Sequence, residues 1–292
     1  MPSYQQAFQY LRKDLATIYD ANEAVAIAHE LLEYLTGLGK LERLMEKSSL
    51  LSNEQEANLE NAILRLMQGE PLQYITEQQW FLGNPYRVNK HVLIPRPETE
   101  ELVQWIVADW NNKGSLSILE VGTGSGCISI ALKMQLPNAT ITSCDISENA
   151  LYIARENAQR FQKEINFIAL DFLDSESRSQ LNHYDVIVSN PPYIPLSEKE
   201  KLDKNVKDFE PALALFVPND DALIFYREIA FFGKTNLLPR GAIYCELHQD
   251  YATETLRLFK EMNYEDVELR KDVHNNNRML KARSEASVVS FI

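Results

Sequence analysis

The sequence predicts an α/β protein whose main domain is a doubly wound, mostly parallel sheet, preceded by a small helical domain. From about residue 96 onward, apolar strand-like runs alternate with helix-like runs, and such βα units form parallel sheets with helices on both faces. The first 85 residues or so have helical spacing with little β-branching. The last two strand-like runs are joined by a short connection, so we expect them to pair antiparallel.

The N-terminal region is predicted to be a set of helices followed by a β-hairpin linker. Ser52 with Gln55 is a capping-box signal for one helix start. The hairpin is expected over Tyr74 to Pro95, with Gly83-Asn84-Pro85 as its turn. We therefore predict a helical domain over 1–72, a linker over 73–95 and the main domain over 96–292. The predicted N-terminal helices cover residues 4–19, 22–38, 39–47 and 52–68.

In the main domain the predicted strands are 116–121, 139–144, 165–170, 184–189, 241–246, 264–270 and 277–283. The predicted helices between them are 98–111, 125–135, 147–162, 220–233 and 250–261. Residues 198–207 mix lysines with acidic residues, which predicts a solvated, mobile loop. A lid over a neighbouring site is the alternative interpretation, because binding residues are common on loops.

The most informative stretch is Asn190-Pro191-Pro192-Tyr193, which follows the buried-strand pattern of residues 184–189. Two prolines end the strand, because neither donates a ladder hydrogen bond, and ligands of open α/β sheets bind at this edge. The Asn190 side-chain oxygen and the Pro191 carbonyl can each accept a hydrogen bond, and Tyr193 can stack on a flat group. The pattern predicts a pocket for a planar NH2 group, although a plain strand-ending turn is the alternative.

A glycine loop, Glu120-Val121-Gly122-Thr123-Gly124-Ser125-Gly126, lies between a predicted strand and a predicted helix. This arrangement brings backbone N–H groups close to a cofactor. A dinucleotide fingerprint has its third glycine three residues after the second, and that position is Cys127 here. The spacing favours a nucleoside with an amino-acid tail over a pyrophosphate, and a tight βα turn without ligand stays open.

Two further acidic positions end predicted strands. Asp145 follows the next strand, where a carboxylate can accept both hydroxyls of a ribose; it could instead cap a helix, unless Ser147 does so. Asp171 and Phe172 follow the strand after that and could hold the amine and face of an adenine, or form an ordinary turn with a buried ring.

Composition and charge narrow the class of protein. The 292 residues are 45% hydrophobic and 24% charged, as in ordinary globular proteins. The net charge of −13 speaks against nucleic-acid binding, which needs basic patches. The cysteines lie in apolar runs and the histidines share no ligand spacing, so we expect free thiols and no metal site. Without a leader-like start or a long apolar run, we expect a cytoplasmic protein with no membrane segment.

Together these motifs resemble those of class I S-adenosylmethionine-dependent methyltransferases. Asn190 to Tyr193 and the segment Leu93-Ile94-Pro95-Arg96-Pro97-Glu98-Thr99-Glu100 narrow the resemblance. From about residue 20 onward, the chain resembles the HemK (PrmC) family of protein-(glutamine) methyltransferases. The resemblance implies methyl transfer from S-adenosylmethionine to the glutamine amide nitrogen in the GGQ motif of class 1 peptide chain release factors, with S-adenosylhomocysteine as product. It also implies a substrate-recognising N-terminal domain and a protein rather than nucleic-acid partner; we expect a monomer.

The resemblance also assigns roles to residues. Asn190, Pro191 and Tyr193 are the implied catalytic residues, and Asn190, Pro191, Pro192 and Tyr193 form the glutamine pocket. The implied cofactor-binding residues are Glu120, Gly122, Thr123, Gly124, Ser125, Gly126, Asp145, Asp171, Phe172 and Asn190. The chain departs from the family pattern at Phe172, where relatives often have Trp, and in the segments 217–221 and 272–278.

Two other functions remain open at this point. An adenine amino-methyltransferase acting on DNA or RNA uses a similar Asn/Asp-Pro-Pro-aromatic pocket, because adenine also offers a planar NH2 group; the acidity of the chain speaks against it. A non-catalytic nucleoside-binding protein, or a dehydrogenase with an unusual glycine loop, is the second. The glycine spacing and Asn190 to Tyr193 speak against that function.

Overall fold

A computed structural model describes residues 1–285, which form two compact units. The first unit comprises Met1–Gln78 together with Lys204–Phe209, and the second comprises Gln79–Asp203 together with the residues from Glu210 onward. Within the described residues, no helix combines the length and the apolar character needed to cross a bilayer.

The first unit is a helical bundle whose helix starts are set by capping side chains. Ser3, Asp20 and Ser52 each accept hydrogen bonds from backbone N–H groups of the first helical turn. The Ser52–Gln55 capping box predicted from the sequence is present. The helices bury leucines and alanines against one another. They are α1 (Tyr4–Leu15), α2 (Ala21–Thr36), α3 (Lys40–Met45), α4 (Asn53–Met67) and a short α5 (Leu72–Ile75).

The hairpin is shorter than predicted, and its turn lies earlier. Its strands are β1 (Gln78–Phe81) and β2 (Asn84–Arg87), so the turn is Leu82-Gly83 and the predicted turn at 83–85 is wrong. Leu82 and Gly83 both have positive φ, 47° and 74°, as a two-residue hairpin turn with right-handed twist requires. The Leu82 backbone N–H donates to Glu100 Oε1 at 2.7 Å, which stabilises this conformation of a non-glycine residue.

The second unit is built on a seven-stranded sheet. Its helices are α6 (Pro97–Trp110), α7 (Cys127–Gln135), α8 (Glu148–Arg160), α10 (Ala212–Leu215), α11 (Ile224–Asn236) and α12 (Ala252–Glu261), and α9 (Lys204–Phe209) belongs to the first unit. The sheet strands are β3 (Ser117–Val121), β4 (Thr140–Asp145), β5 (Asn166–Ala169), β6 (Tyr184–Ser189), β9 (Leu237–Glu246), β10 (Glu265–Lys271) and β11 (Asn277–Arg283). A two-stranded sheet pairs β7 (Ile194–Pro195) with β8 (Phe216–Val217).

The strand order is β10-β11-β9-β6-β3-β4-β5. The pairs from β9 through β6, β3 and β4 to β5 are parallel, and β11 is antiparallel to both β9 and β10. The predicted mostly parallel sheet with an antiparallel last strand is confirmed. Because β3 lies centrally, its carboxyl end is flanked by those of β4 and β6, and ligands of open α/β sheets bind there.

Both faces of the sheet are buried, as alternate side chains show. On β3, Ile118 packs into the cluster that contains Trp105, whereas Leu119 packs into the cluster that contains Tyr226. Continuous apolar runs are typical of parallel strands covered on both faces. All three cysteines are buried and free, and burial raises the pKa of the Cys127 thiol to about 12.

Several predicted boundaries differ from the structure; the predicted helix 220–233, for example, is observed as Ile224–Asn236, and the predicted helix 4–19 ends at Leu15. Strand β9 begins at Leu237 instead of residue 241, because Leu237 pairs with Tyr184 before a register shift. The stretch 198–207, predicted as a solvated loop, forms a 3-10 helix over Leu196–Lys201 and the start of α9. Its alternate acids and lysines place an ion pair at helical spacing, Glu198 with Lys201.

Candidate active site

A cavity of about 370 Å³ lies at the carboxyl ends of the central strands, wholly within the second unit. Most of the predicted site residues line it, and Gly126 and Tyr193 are not among the lining residues. The lining residues predicted from the sequence are Glu120, Gly122, Thr123, Gly124, Ser125, Asp145, Asp171, Phe172, Asn190, Pro191 and Pro192.

The glycine loop wraps the carboxyl end of β3. Gly122, Gly124 and Gly126 all have positive φ, a backbone conformation that residues with a Cβ rarely adopt. A Cβ on Gly126 would lie 3.1 Å from the Ala154 Cβ atom, so this glycine lets α7 pack closely against α8. Gly122 is the glycine nearest the tetrapeptide, because a Cβ there would lie 3.9 Å from the Asn190 carbonyl oxygen. The glycine loop and the Asn190 bend are therefore neighbours.

Asp145 is held by the glycine loop and by the start of α8. Its Oδ2 accepts from Gly124 N at 2.9 Å and its Oδ1 accepts from Ser147 N at 2.9 Å. Ser147 itself caps α8 by accepting from Ala150 N. Burial raises the pKa of Asp145, although the backbone N–H groups oppose that rise. Each carboxylate oxygen keeps a further lone pair, so Asp145 can both brace the loop and accept hydrogen bonds in the cavity.

Glu120 and Ser125 bring unsatisfied polar atoms to the cavity wall. Ser143 donates to Glu120 Oε2 and lies 2.7 Å from the Thr123 hydroxyl. Glu120 Oε1 and Ser125 Oγ are buried and have no hydrogen-bond partner among the described residues. Burial raises the pKa of Glu120 to about 8. Buried polar atoms are nearly always paired. Glu120 Oε1 therefore marks a position for a bound donor or cation, and the Ser125 hydroxyl marks a position for a bound donor or acceptor.

Phe172 closes another wall of the cavity. Its ring packs edge-on against Phe232 at 5.4 Å between centroids, and the Arg178 guanidinium lies over it at 5.2 Å. The neighbouring Asp171 accepts from Leu173 N at 2.9 Å, which fixes the turn after β5. The pair presents an apolar ring and a carboxylate side by side.

Asn190 is held in one orientation by a residue of α6. Its Nδ2 donates to Thr99 Oγ1 at 3.1 Å, and Thr99 Oγ1 in turn donates to Glu246 Oε2 at 2.6 Å. The Asn190 side-chain oxygen makes no hydrogen bond within residues 1–285 and is left as an acceptor at the cavity. The sequence did not single out Thr99 or Glu246 as site residues, although Thr99 lies in the segment 93–100 that carries the family resemblance.

Tyr193 lies behind the cavity. Its hydroxyl donates to Glu246 Oε1 at 3.4 Å, and its ring packs edge-on against His248. Burial raises the pKa of Tyr193, so it stays a neutral donor. This position braces the bend after Pro192, and stacking of Tyr193 on a substrate stays a prediction.

Arg96 and Glu210 tie two loops at the rim of the cavity. They form an ion pair, and Glu210 Oε2 also accepts from Ile94 N at 3.2 Å. Glu210 is buried, whereas Leu213, three residues later, is an exposed apolar residue of the rim. The pairing fixes residues 210–214 beside the segment that carries Thr99.

The two segments that depart from the family pattern also have defined places. Asn219 Oδ1 accepts from Ser197 N at 2.7 Å, which fastens the chain just beyond the tetrapeptide. Asp272 closes the β10–β11 turn by accepting from His274 N and Asn276 N. It also pairs with Arg278, whose guanidinium donates to the Leu247 carbonyl beside Glu246.

Two family models and several known proteins match this chain. The model of the PrmC N-terminal domain matches residues 6–76, and that of the methyltransferase small domain matches residues 99–208. The chain is 40% identical to the release factor glutamine methyltransferase of Flavobacterium psychrophilum, over 91% of this chain and 94% of that protein. It is 42% identical to the protein of the same name from Bacteroides thetaiotaomicron, over 94% and 97%.

The chain belongs to the release factor glutamine methyltransferase family. A solved methyltransferase from Pyrococcus furiosus shares the fold, with a TM-score of 0.50 and 14% identity over 80% of this chain and 100% of that one. The predicted family and the predicted class I methyltransferase fold are both confirmed. Membership of the release factor glutamine methyltransferase family makes the chain an enzyme, as the sequence predicted.

Proposed function

We propose that this chain transfers a methyl group from S-adenosylmethionine to the side-chain amide nitrogen of the glutamine in the GGQ motif of class 1 peptide chain release factors. The observation that carries the proposal is the Asn190 side chain, which lines the cavity with its NH2 group bonded to Thr99. Its oxygen, at the other end of the amide, can therefore serve as an acceptor. An acceptor at this place suits a substrate that offers an NH2 group.

The residues of the cavity fit S-adenosylmethionine. Glu120 Oε1 and Ser125 Oγ lack partners among the described residues, and they suit the ammonium and carboxylate of the methionine part. Asp145 suits the ribose hydroxyls, and Asp171 with Phe172 suits the adenine amine and ring. When bound, this cofactor supplies a sulfonium methyl group that is already strongly electrophilic.

The protein then has mainly to place the glutamine nitrogen. An amide nitrogen is a poor nucleophile, since its lone pair is delocalised into the carbonyl group. Hydrogen bonds from the two N–H groups to Asn190 Oδ1 and the Pro191 carbonyl orient the nitrogen toward the glycine loop. The same acceptors stabilise positive charge that grows on the nitrogen, as preorganised dipoles do. A strong general base is not needed, because an N-alkylated, N-protonated amide is very acidic.

Charge is compatible with the proposed protein partner. A net charge of −13 favours association with a basic protein, and a release factor that binds RNA is such a partner. The adenine-methylating alternative needs a basic surface for phosphates, which this composition does not favour.

A labelling experiment tests the function. The enzyme is incubated with methyl-labelled S-adenosylmethionine and, separately, with a class 1 release factor, with the same factor carrying Gln→Ala in its GGQ motif, and with nucleic acid. We expect label only in the unmodified factor. Label confined to nucleic acid would establish the adenine amino-methyltransferase instead, and no label with any acceptor would refute both.

Replacing Asp145 by Ala is expected to weaken cofactor binding about 10- to 150-fold, because hydrogen bonds to a charged group contribute roughly 1.5–3 kcal/mol. Calorimetric titration with S-adenosylmethionine measures this. The matched control is Asp174→Ala, an exposed aspartate in the loop after β5 that accepts backbone hydrogen bonds outside the cavity. If both variants bind like the wild type, Asp145 serves only to brace the start of α8.

A further inference from the structure

Three side chains from distant parts of the sequence form one hydrogen-bonded chain beside the cavity. Asn190, just after β6, donates to Thr99 of α6, and Thr99 donates to Glu246 at the end of β9. The distances are 3.1 and 2.6 Å. Glu246 is only 2% exposed, and Thr99 is also 2% exposed. Thus two buried groups stand behind the one side chain proposed to accept a hydrogen bond from the substrate amide.

The direction of these hydrogen bonds is set from the buried end. A carboxylate can only accept hydrogen bonds, so the Thr99 hydroxyl must donate its single hydrogen to Glu246. Thr99 Oγ1 can then only accept from Asn190, which requires the Asn190 NH2 group to face Thr99. The two ends of an amide side chain are similar in shape and opposite in hydrogen-bonding character. Without these hydrogen bonds, the shape of the Asn190 side chain would not determine whether its oxygen or its NH2 group faces the cavity.

We propose that Thr99 and Glu246 are positioning residues that orient the Asn190 amide, and thereby make the pocket select glutamine over glutamate. With the Asn190 oxygen at the cavity, the pocket accepts hydrogen bonds from an NH2 group and repels a carboxylate. With the amide reversed, its NH2 group would accommodate a carboxylate instead. The inference rests on the proposed contact between Asn190 and the substrate glutamine, and adds the origin of its selectivity.

Discrimination of this kind is large in principle. A site built to hydrogen-bond a substrate group rejects analogues that leave its buried polar atoms unpaired. A glutamate would leave Asn190 Oδ1 facing a carboxylate oxygen, with no hydrogen between them. The hydrogen bonds from Glu246 through Thr99 to Asn190 thus determine which substrate is accepted, although Glu246 and Thr99 do not contact the substrate.

The surroundings of Glu246 predict how the selectivity depends on pH. The pKa of Glu246 is raised to about 7, mainly by burial and also by the charge of Glu98 on α6. The hydrogen bond from Thr99, the charge of Arg278 on β11 and the Tyr193 hydroxyl lower that pKa. From α11, Tyr226 donates only to the backbone carbonyl of Glu246, at 3.2 Å. Once protonated, Glu246 can donate a hydrogen bond to Thr99, and the hydrogen bonds between Glu246, Thr99 and Asn190 can then all reverse direction.

The test compares Thr99→Val, which keeps the shape of the side chain and removes the hydroxyl, with Thr99→Ser, which keeps the hydroxyl. Binding of a class 1 release factor and of its GGQ Gln→Glu variant is measured by calorimetry without cofactor, and methylation is measured separately. We expect Thr99→Val to reduce the preference for the glutamine factor over its Gln→Glu variant and to lower kcat about 10-fold or more. This is the effect of leaving one buried donor, the Asn190 NH2 group, unsatisfied. Thr99→Ser should keep most of the wild-type glutamine preference and most of the wild-type kcat.

Thr255→Val is the matched control. Thr255 is a fully buried threonine of α12 whose hydroxyl donates to the Tyr251 carbonyl, so this variant also loses one buried hydroxyl. We expect its glutamine preference and its kcat to equal those of the wild type. An equal loss in Thr255→Val and Thr99→Val would reduce the role of Thr99 to general stability and would overturn the inference.

Two outcomes separate the inference from the proposed function. If Asn190→Ala is inactive while Thr99→Val keeps the full glutamine preference, the inference fails and the function stands. If Asn190→Ala is fully active, the proposed role of Asn190 is wrong, and the inference that rests on it is wrong as well. A second measurement needs no variant: the preference of the wild type should fall as pH is lowered from 8 to 6. A flat preference over that range overturns the inference even if Thr99→Val does not fold.

Discussion

Asn190→Ala is expected to lower turnover on a release factor by about 10²-fold or more, the usual effect of removing one preorganised hydrogen-bonding group. The variant loses the acceptor that Thr99 holds toward the cavity. Cofactor affinity should fall much less, because Glu120, Asp145 and Phe172 remain in place. Single-turnover methylation assays measure the first effect, and calorimetry with S-adenosylmethionine measures the second.

The matched control for this variant is Asn166→Ala. Asn166 is an exposed residue at the start of β5, at the edge of the sheet opposite the carboxyl ends. Turnover of Asn166→Ala should equal that of the wild type. Near-normal turnover of Asn190→Ala would rule out its proposed role, and an equal loss of turnover and of cofactor affinity would make Asn190 a cofactor-binding residue only.

Glu120→Gln is expected to weaken binding of S-adenosylmethionine on the order of 100-fold, because it removes the buried partner of a cationic group. The substitution keeps the size of the side chain, so the Ser143 hydroxyl can still donate to its oxygen. Glu261→Gln, at the exposed end of α12, is the control. An unchanged dissociation constant for Glu120→Gln would place the ammonium elsewhere in the cavity.

The same carboxyl group predicts a pH dependence of binding. Burial holds the pKa of Glu120 at about 8, so in the protein alone the carboxyl carries a proton at pH 7 and below. A bound cation favours the ionised form, so binding must release that proton. Affinity should therefore fall about 10-fold per pH unit from pH 7 to pH 6, a range in which an α-amino group stays charged. Glu120→Gln should lose this dependence, and a wild-type affinity independent of pH would contradict it.

Local signals in the sequence were sufficient for the sheet and for most of the cavity wall. The strand, glycine loop and helix around Gly122 are adjacent along the chain, and the chain breaks at Pro191 and Pro192 mark where β6 ends. A parallel sheet then brings the carboxyl ends of β3, β4, β5 and β6 together without further information. This is why the sequence alone predicts Asp145, Asp171 and Asn190 at one edge of the sheet.

Contacts between distant residues could not be predicted in the same way. Thr99 and Glu246 are 147 positions apart, and neither position differs in type from many surface residues. The family resemblance of the segment 93–100 indicated that α6 is functionally relevant, yet only the structure shows that Asn190 donates a hydrogen bond to Thr99. The hairpin turn was misplaced because Pro85 is a common turn residue, whereas the actual turn puts Leu82 at positive φ, a conformation that composition does not signal.

The burial of all three cysteines has a practical consequence for handling the enzyme. With the pKa of the Cys127 thiol at about 12, only about one molecule in 10⁵ carries the thiolate at pH 7, and the thiolate is the reactive form. Cys144 and Cys245 are shifted upward for the same reason. Alkylating reagents and air oxidation should therefore act slowly on the folded protein, so maleimide dyes can be directed to a cysteine newly introduced at an exposed position.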